Sequence, residues 1–252
     1  MCCFTRPVQS VSNTNIFARP DKDGRQFLVY SMSVAAKEDV AMVLPLPVQK
    51  GATENSVHFI DLKGYPSFFT DLIKGFPPPP AAGDELLTRS VPASASATLQ
   101  VVQVGDFEAS FVPTTGDFSR LDERFRLPED VWKSIPAYRD YGFTVFKLKP
   151  GTARIHPMAF SFPRANASSL FFPTVHIHDG KLYPRARFDH VLYCQSSPEE
   201  GYAVHGWAES SRPANAFMKM DLTKDLIDGG RHCYRKTLRG VLPNKDTVIP
   251  RA

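Results

Sequence analysis

Long apolar runs are missing from this chain, and cysteine and glycine are sparse. The longest apolar stretch, Val40 to Val48, is interrupted by Pro45 and Pro47 and falls far short of the ~20 residues that span a bilayer, so no membrane association is expected. No charged-then-apolar leader precedes Cys2, so no secretory signal is expected. With 4 Cys and no such signal, the expectation is a reduced, cytoplasmic protein. A dense basic stripe is also lacking. The net charge is +4, and the nearest thing to a patch is Arg231, Arg235, Lys236 and Arg239, with Asp225 and Asp228 just upstream. That pattern reads as a solvated helix face, and nucleic acid is not an expected partner. There is no phosphate-cradling glycine loop, no dinucleotide fingerprint and no Gly-x-Ser-x-Gly elbow. No internal repeat of fixed period is present, which disfavours solenoids and propellers.

What is present suits a globular β-rich chain. Of the 252 residues, 42% are hydrophobic and 22% charged, well above the hydrophobicity of disordered chains. With 19 Phe and 22 Pro, short strands broken by turns are favoured over long helices. Strand-like segments are 15–18, 26–30, 40–44, 57–62, 98–104, 107–112, 143–148, 153–162, 170–178 and 190–195. Pro20 to Gly24 reads as the loop of a hairpin. Short helices are expected over Pro66 to Lys74, with Phe68, Phe69, Leu72 and Ile73 inward, from Ser119, and from Pro128 through Ile135. A last helix is expected near Leu222 to Arg239, broken by Gly229-Gly230. The fold class is therefore α+β, predominantly antiparallel β-sheet of sandwich-like form with a few short helices. One domain over 1–252 is expected, with a proline-, alanine- and serine-rich loop at about 77–97; the alternative is two domains, 1–76 and 98–252.

Several segments carry a family resemblance: Cys2-Cys3-Phe4, Pro7-Val8, Ile16-Phe17-Ala18, Leu44-Pro45-Leu46-Pro47-Val48 and Phe146-Lys147-Leu148-Lys149-Pro150-Gly151. Spread over about residues 2–160, this outline resembles a bacterial family of uncharacterised, mostly secreted proteins. Their mature chains begin with a cysteine-containing segment and continue into a β-hairpin and a Leu-Pro strand. The resemblance implies no chemistry, and the chain departs from it in having no leader.

The chemistry-bearing segment is Val175-His176-Ile177-His178-Asp179-Gly180, followed by Phe188-Asp189-His190-Val191-Leu192-Tyr193-Cys194. Alternation on a strand puts His176 and His178 on one face. A turn at Asp179-Gly180 and a returning strand would bring His190 beside them. Three imidazoles at one point hold copper or zinc with a coordination position open. Cys194 and His156 are reserve ligands, and Asp179 and Asp189 are candidate acceptors that fix an imidazole tautomer. The leading expectation is a mononuclear copper- or zinc-dependent enzyme acting on a small-molecule substrate by oxidation or hydrolysis. One alternative is an N-terminal amidohydrolase with Cys2 as nucleophile once Met1 is removed. Phe17-Ala18-Arg19 with Asp21 is similar to the Arg and Asp that follow the nucleophile in penicillin V and bile-salt acylases. A further alternative is a non-catalytic metal-handling or interaction protein.

Overall fold

The run from Val40 to Leu46 is apolar at nearly every position, a pattern tolerated in a strand buried on both faces, and this strand is the centre of the molecule. The computed structural model describes residues 2–76, 101–127, 129–133, 135–148, 151–154, 156–177, 181–196 and 201–251; the proline-rich stretch, His178 and Asp179 lie outside the described residues. In chain order the strands are β1 (Cys2–Phe4), β2 (Ser10–Pro20), β3 (Arg25–Ala36), β4 (Val40–Leu46), β5 (His58–Asp61), β6 (Val102–Val104), β7 (Phe107–Val112) and β8 (Gly142–Leu148). They continue with β9 (Gly151–Arg154), β10 (Met158–Pro163), β11 (Ser169–Phe172), β12 (His176–Ile177), β13 (Arg185–Cys194), β14 (Ala208–Glu209), β15 (Tyr234–Pro243) and β16 (Thr247–Pro250). Two short helices, α1 (Phe68–Leu72) and α2 (Glu129–Lys133), are joined by several 3-10 turns.

A six-stranded sheet runs β12-β1-β4-β8-β7-β6. An eight-stranded sheet runs β14-β15-β13-β2-β3-β10-β5, with β9 also on β3, and β11 pairs with β16 alone. Most pairs are antiparallel, but β13 lies parallel to β2, and β12 parallel to β1. The expected α+β, mainly antiparallel class is what the structure shows.

Alternation builds the layers. Val40, Met42, Leu44 and Leu46 face the larger sheet and meet Ile16, Leu28, Tyr30, Phe160, Phe162 and Leu192 in the central core. Ala41 and Val43 face the other way, against Phe118, Phe125, Val131 and Tyr138 from α2 and its flanking turns. On the far side of the larger sheet, Phe17, Val29, Ala159 and Tyr193 are covered by Phe68, Phe69 and Leu72 of α1 and by the loop residues Met218, Leu226 and Ile227. Two stacked sheets, each with a helix-and-loop cover, bury both faces of β4, β2 and β3. Pro45 is tolerated in β4 because β1 pairs only with Val43 and Met42, leaving that edge open where the missing N–H falls.

The hairpin between β2 and β3 forms where expected. Asp21 accepts the Lys22 N–H at 2.8 Å, and Asp23 and Gly24 turn through φ of 55° and 74°. In α1, Phe68, Phe69 and Leu72 face inward, but Ile73 is exposed. The helix expected near Leu222 to Arg239 does not form. A 3-10 turn at Met220–Leu222 leads through a loop to β15, which pairs antiparallel with all of β13. The spacing of Tyr234 and Leu238 suits a helix face and a strand face equally, and long-range pairing decides the outcome.

Candidate functional site

β1 is three residues long and is held between β4 and the two-residue β12, with Cys2 opposite His176 and Cys3 opposite Ile177 in parallel register. β12 in turn is positioned by the C-terminal segment. The His176 N–H donates to Asn244 Oδ1 at 2.7 Å, and Asn244 Nδ2 donates back to the His176 carbonyl at 2.9 Å. The amide side chain thus stands in for a neighbouring strand. Next to it, Asp246 Oδ1 accepts the N–H groups of Thr174 and Val175 at 2.8 and 3.1 Å, while its Oδ2 accepts the Tyr138 hydroxyl at 2.5 Å. Burial raises the Asp246 carboxyl pKa, against the lowering effect of these hydrogen bonds. Burial also raises the Tyr138 hydroxyl, with the Asp246 charge adding to it.

His176 and His190 meet across the gap between the two sheets. Their Nε2 atoms are 3.3 Å apart and their ring centroids 4.8 Å apart. The Phe188 ring lies against both, at 4.4 Å from His176 and 5.3 Å from His190. His190 is only 3% exposed.

The expected hairpin is therefore incorrect: β12 belongs to the six-stranded sheet and β13 to the eight-stranded one. Of the proposed ligands, His176 and His190 come together, while His178 and its neighbour Asp179 lie outside the described residues. Cys194 faces the core, as its spacing from His190 requires, but four residues of strand rise at about 3.3 Å each separate the two. Its thiol packs in the central core, and burial pushes its pKa well above the usual range. His156 is in another part of the fold. Its ring lies tilted against Phe107, with centroids 4.2 Å apart, and its Nε2 accepts the Asp106 N–H at 3.1 Å. Burial lowers the His156 pKa from the ordinary imidazole value, and its Nδ1 lies 3.2 Å from the Pro157 carbonyl oxygen. Asp189 is on the opposite face of β13, where it accepts the Asn13 N–H at 3.2 Å and lies 3.7 Å from Arg239. Among the described residues no group of three or more His, Cys, Asp or Glu side chains is arranged to hold a metal ion.

The sequence reading missed a cleft of about 710 Å³ that opens beside these histidines. It is lined by Val11, Tyr183, Arg185, Arg187, Phe188 and Arg239, among others. The only sequence signal for it is Arg185-Ala186-Arg187, in which alternation places two guanidinium groups on one strand face.

No protein-family model matches the chain. Among solved structures, the chain is similar to baculovirus P35, with a TM-score of 0.51 and 12% identity, covering 99% of this chain and 99% of that one. P35 in the caspase-8/P35 complex is also similar, with a TM-score of 0.47 and 13% identity over 95% and 96% of the two chains. The first of these shows the fold: the described residues have the architecture of baculovirus P35. With that fold, and with no group of three or more metal-holding side chains among the described residues, the expected copper or zinc enzyme is not supported. The expected small-molecule substrate loses its support along with the metal site that was to act on it. The interaction-protein alternative is the one the findings favour.

Proposed function

We propose that this chain is a non-catalytic protein that engages a protease of the caspase type, is cut by it, and retains it in a complex. The observation that carries this reading is the end-to-end likeness in fold to baculovirus P35. P35 has been solved in complex with caspase-8 and, as a mutated form, after caspase cleavage. The layered packing supports the reading, because a core bounded by two sheets gives surface loops a rigid platform.

The proposal includes a cytoplasmic setting. Cys194 and Cys233 are buried thiols outside any disulfide, which suits a reducing compartment. Among the described residues no helix is long and apolar enough to cross a membrane.

The test is a titration of caspase-8, and of a second caspase, with the purified chain. Peptidase activity should fall to its end point near one equivalent, and intact-mass analysis should show the chain cut into two pieces. Between Phe76 and Val101 the sequence has a single aspartate, Asp84, and caspases cut after aspartate. Asp84→Ala is therefore the first variant to compare, with loss of both cleavage and inhibition expected. Full peptidase activity and an intact chain at large molar excess would sink the reading.

A further inference from the structure

The eight-stranded sheet splits at one point. β13 pairs with β2 from His190 to Cys194, opposite Thr14 to Ala18, and the pairing stops there. A bulge in β2 between Ser12 and Asn15 breaks the register, and Asn13 is in the left-handed region at φ of 52°. The Asn13 N–H turns to the Asp189 carboxylate in place of a strand partner. Beyond that point, residues Arg185 to Asp189 pair with β15 on one side. Among the described residues no strand pairs their other edge. Arg185 to Asp189 all line the cleft.

The cleft has a charge bias. Its described lining includes Lys181, Arg185, Arg187 and Arg239 against one carboxylate, Asp189. Arg185 and Arg187 share the exposed face of β13, opposite Pro243 and Val241, and Val241 is 54% exposed. Arg185 donates one hydrogen bond to the Val241 carbonyl at 2.8 Å, which leaves most of its five N–H donors for a ligand. The other face of β13 carries Ala186 and Phe188, which line the cleft together with His176 and Val11.

We propose that the open edge of β13 between Arg185 and Asp189 is a docking site for an extended acidic peptide segment of a partner protein. The peptide adds a strand along the stretch of β13 that no described strand pairs on that side. Its acidic side chains stand at alternate positions, about 6.6 Å apart, over Arg185 and Arg187, where paired guanidinium N–H groups bind carboxylates. The residue between them is apolar and turns toward Phe188 and Val11. The site does not depend on the caspase reading.

The experiment uses the full chain and a fluorescein-labelled peptide of alternating glutamate and valine, read by fluorescence anisotropy. Three comparison peptides carry the same residues with the glutamates in one block, N-methyl groups at alternate amides, or lysine in place of glutamate. The alternating glutamate peptide is expected to bind saturably, and each comparison peptide at least about tenfold more weakly. Arg187→Glu should lose the glutamate peptide by a similar factor and gain the lysine one. Arg187 is exposed, and circular dichroism checks that the variant is folded. Absence of saturable binding, equal binding of the blocked or N-methylated peptide, or an unchanged Arg187→Glu would each overturn the proposal. Caspase titration of Arg187→Glu separates the two readings, because a failed peptide result with intact inhibition removes this site alone.

Discussion

From His190 to Cys194, β13 has β2 on one side and β15 on the other; from Arg185 to Asp189 it has β15 alone among the described strands. The inner half places Leu192 and Cys194 in the central core and Tyr193 against α1 and its covering loop. In the outer half Arg185, Arg187 and Asp189 are exposed. One strand thus supplies both a doubly paired, largely buried segment and an accessible edge. The difference comes from a neighbour: the bulge at Asn13 takes β2 away from β13, and the sheet loses its second ladder at that residue. Stability is concentrated where both edges are paired, and binding capacity where one is not.

Substitutions along and around this strand test that contrast. The largest effect belongs to the inner half. Leu192→Ala removes a side chain with no exposure from the central core and should cost about 2–5 kcal/mol in urea unfolding. A loss below about 1 kcal/mol would show that the inner half is not tightly packed. Asp246→Ala, which strands the Tyr138 hydroxyl and the Thr174 and Val175 N–H groups, should cost about 2–3 kcal/mol. It should also speed amide exchange at Ile177 in β12.

Alkaline pH probes the same buried end. Burial raises Cys194 and pushes Cys233, which immediately precedes β15, up to about 12. In the unfolded chain these thiols ionise near their ordinary value of about 8.5. Between those limits the folded state holds the extra protons. Their stabilising contribution is therefore present below about pH 8.5 and is lost as pH climbs toward the folded values. The urea midpoint should fall over that window, and Cys233→Ala should flatten the fall. An unchanged slope would assign the loss to other groups.

Asn244→Ala removes the amide that brackets His176. It should cost about 1–2 kcal/mol, with selective loss of exchange protection in β12. Smallest is the outer half: Arg187→Glu should shift stability by no more than about 0.5 kcal/mol while abolishing acidic-peptide binding. A large stability loss there would mean that the two halves of β13 are not energetically distinct.

The fold was largely legible because its signal is local. Val40 to Leu46, Gln26 to Tyr30 and Phe107 to Val112 show their strand character in composition, and Pro20 to Gly24 shows its turn chemistry. β15 was not legible, since Tyr234 and Leu238 fit either period and its charged face is the exposed side of a sheet rather than of a helix. The histidine site was half legible. Alternation put His190 and Cys194 on one face, but the rise along a strand separates them, and the partner that meets His190 comes from the other sheet.

By itself the sequence determined which segments are strands and which faces of them are apolar, because each depends on residues within a few positions of one another. Only the tertiary structure decided that Cys2 is paired with His176, that His176 reaches His190 across the core, and that β13 leaves β2 at Asn13 with one edge open. Those are matters of strand order and register. They are fixed when segments far apart in the chain bury their apolar faces together, and no short-range pattern specifies them.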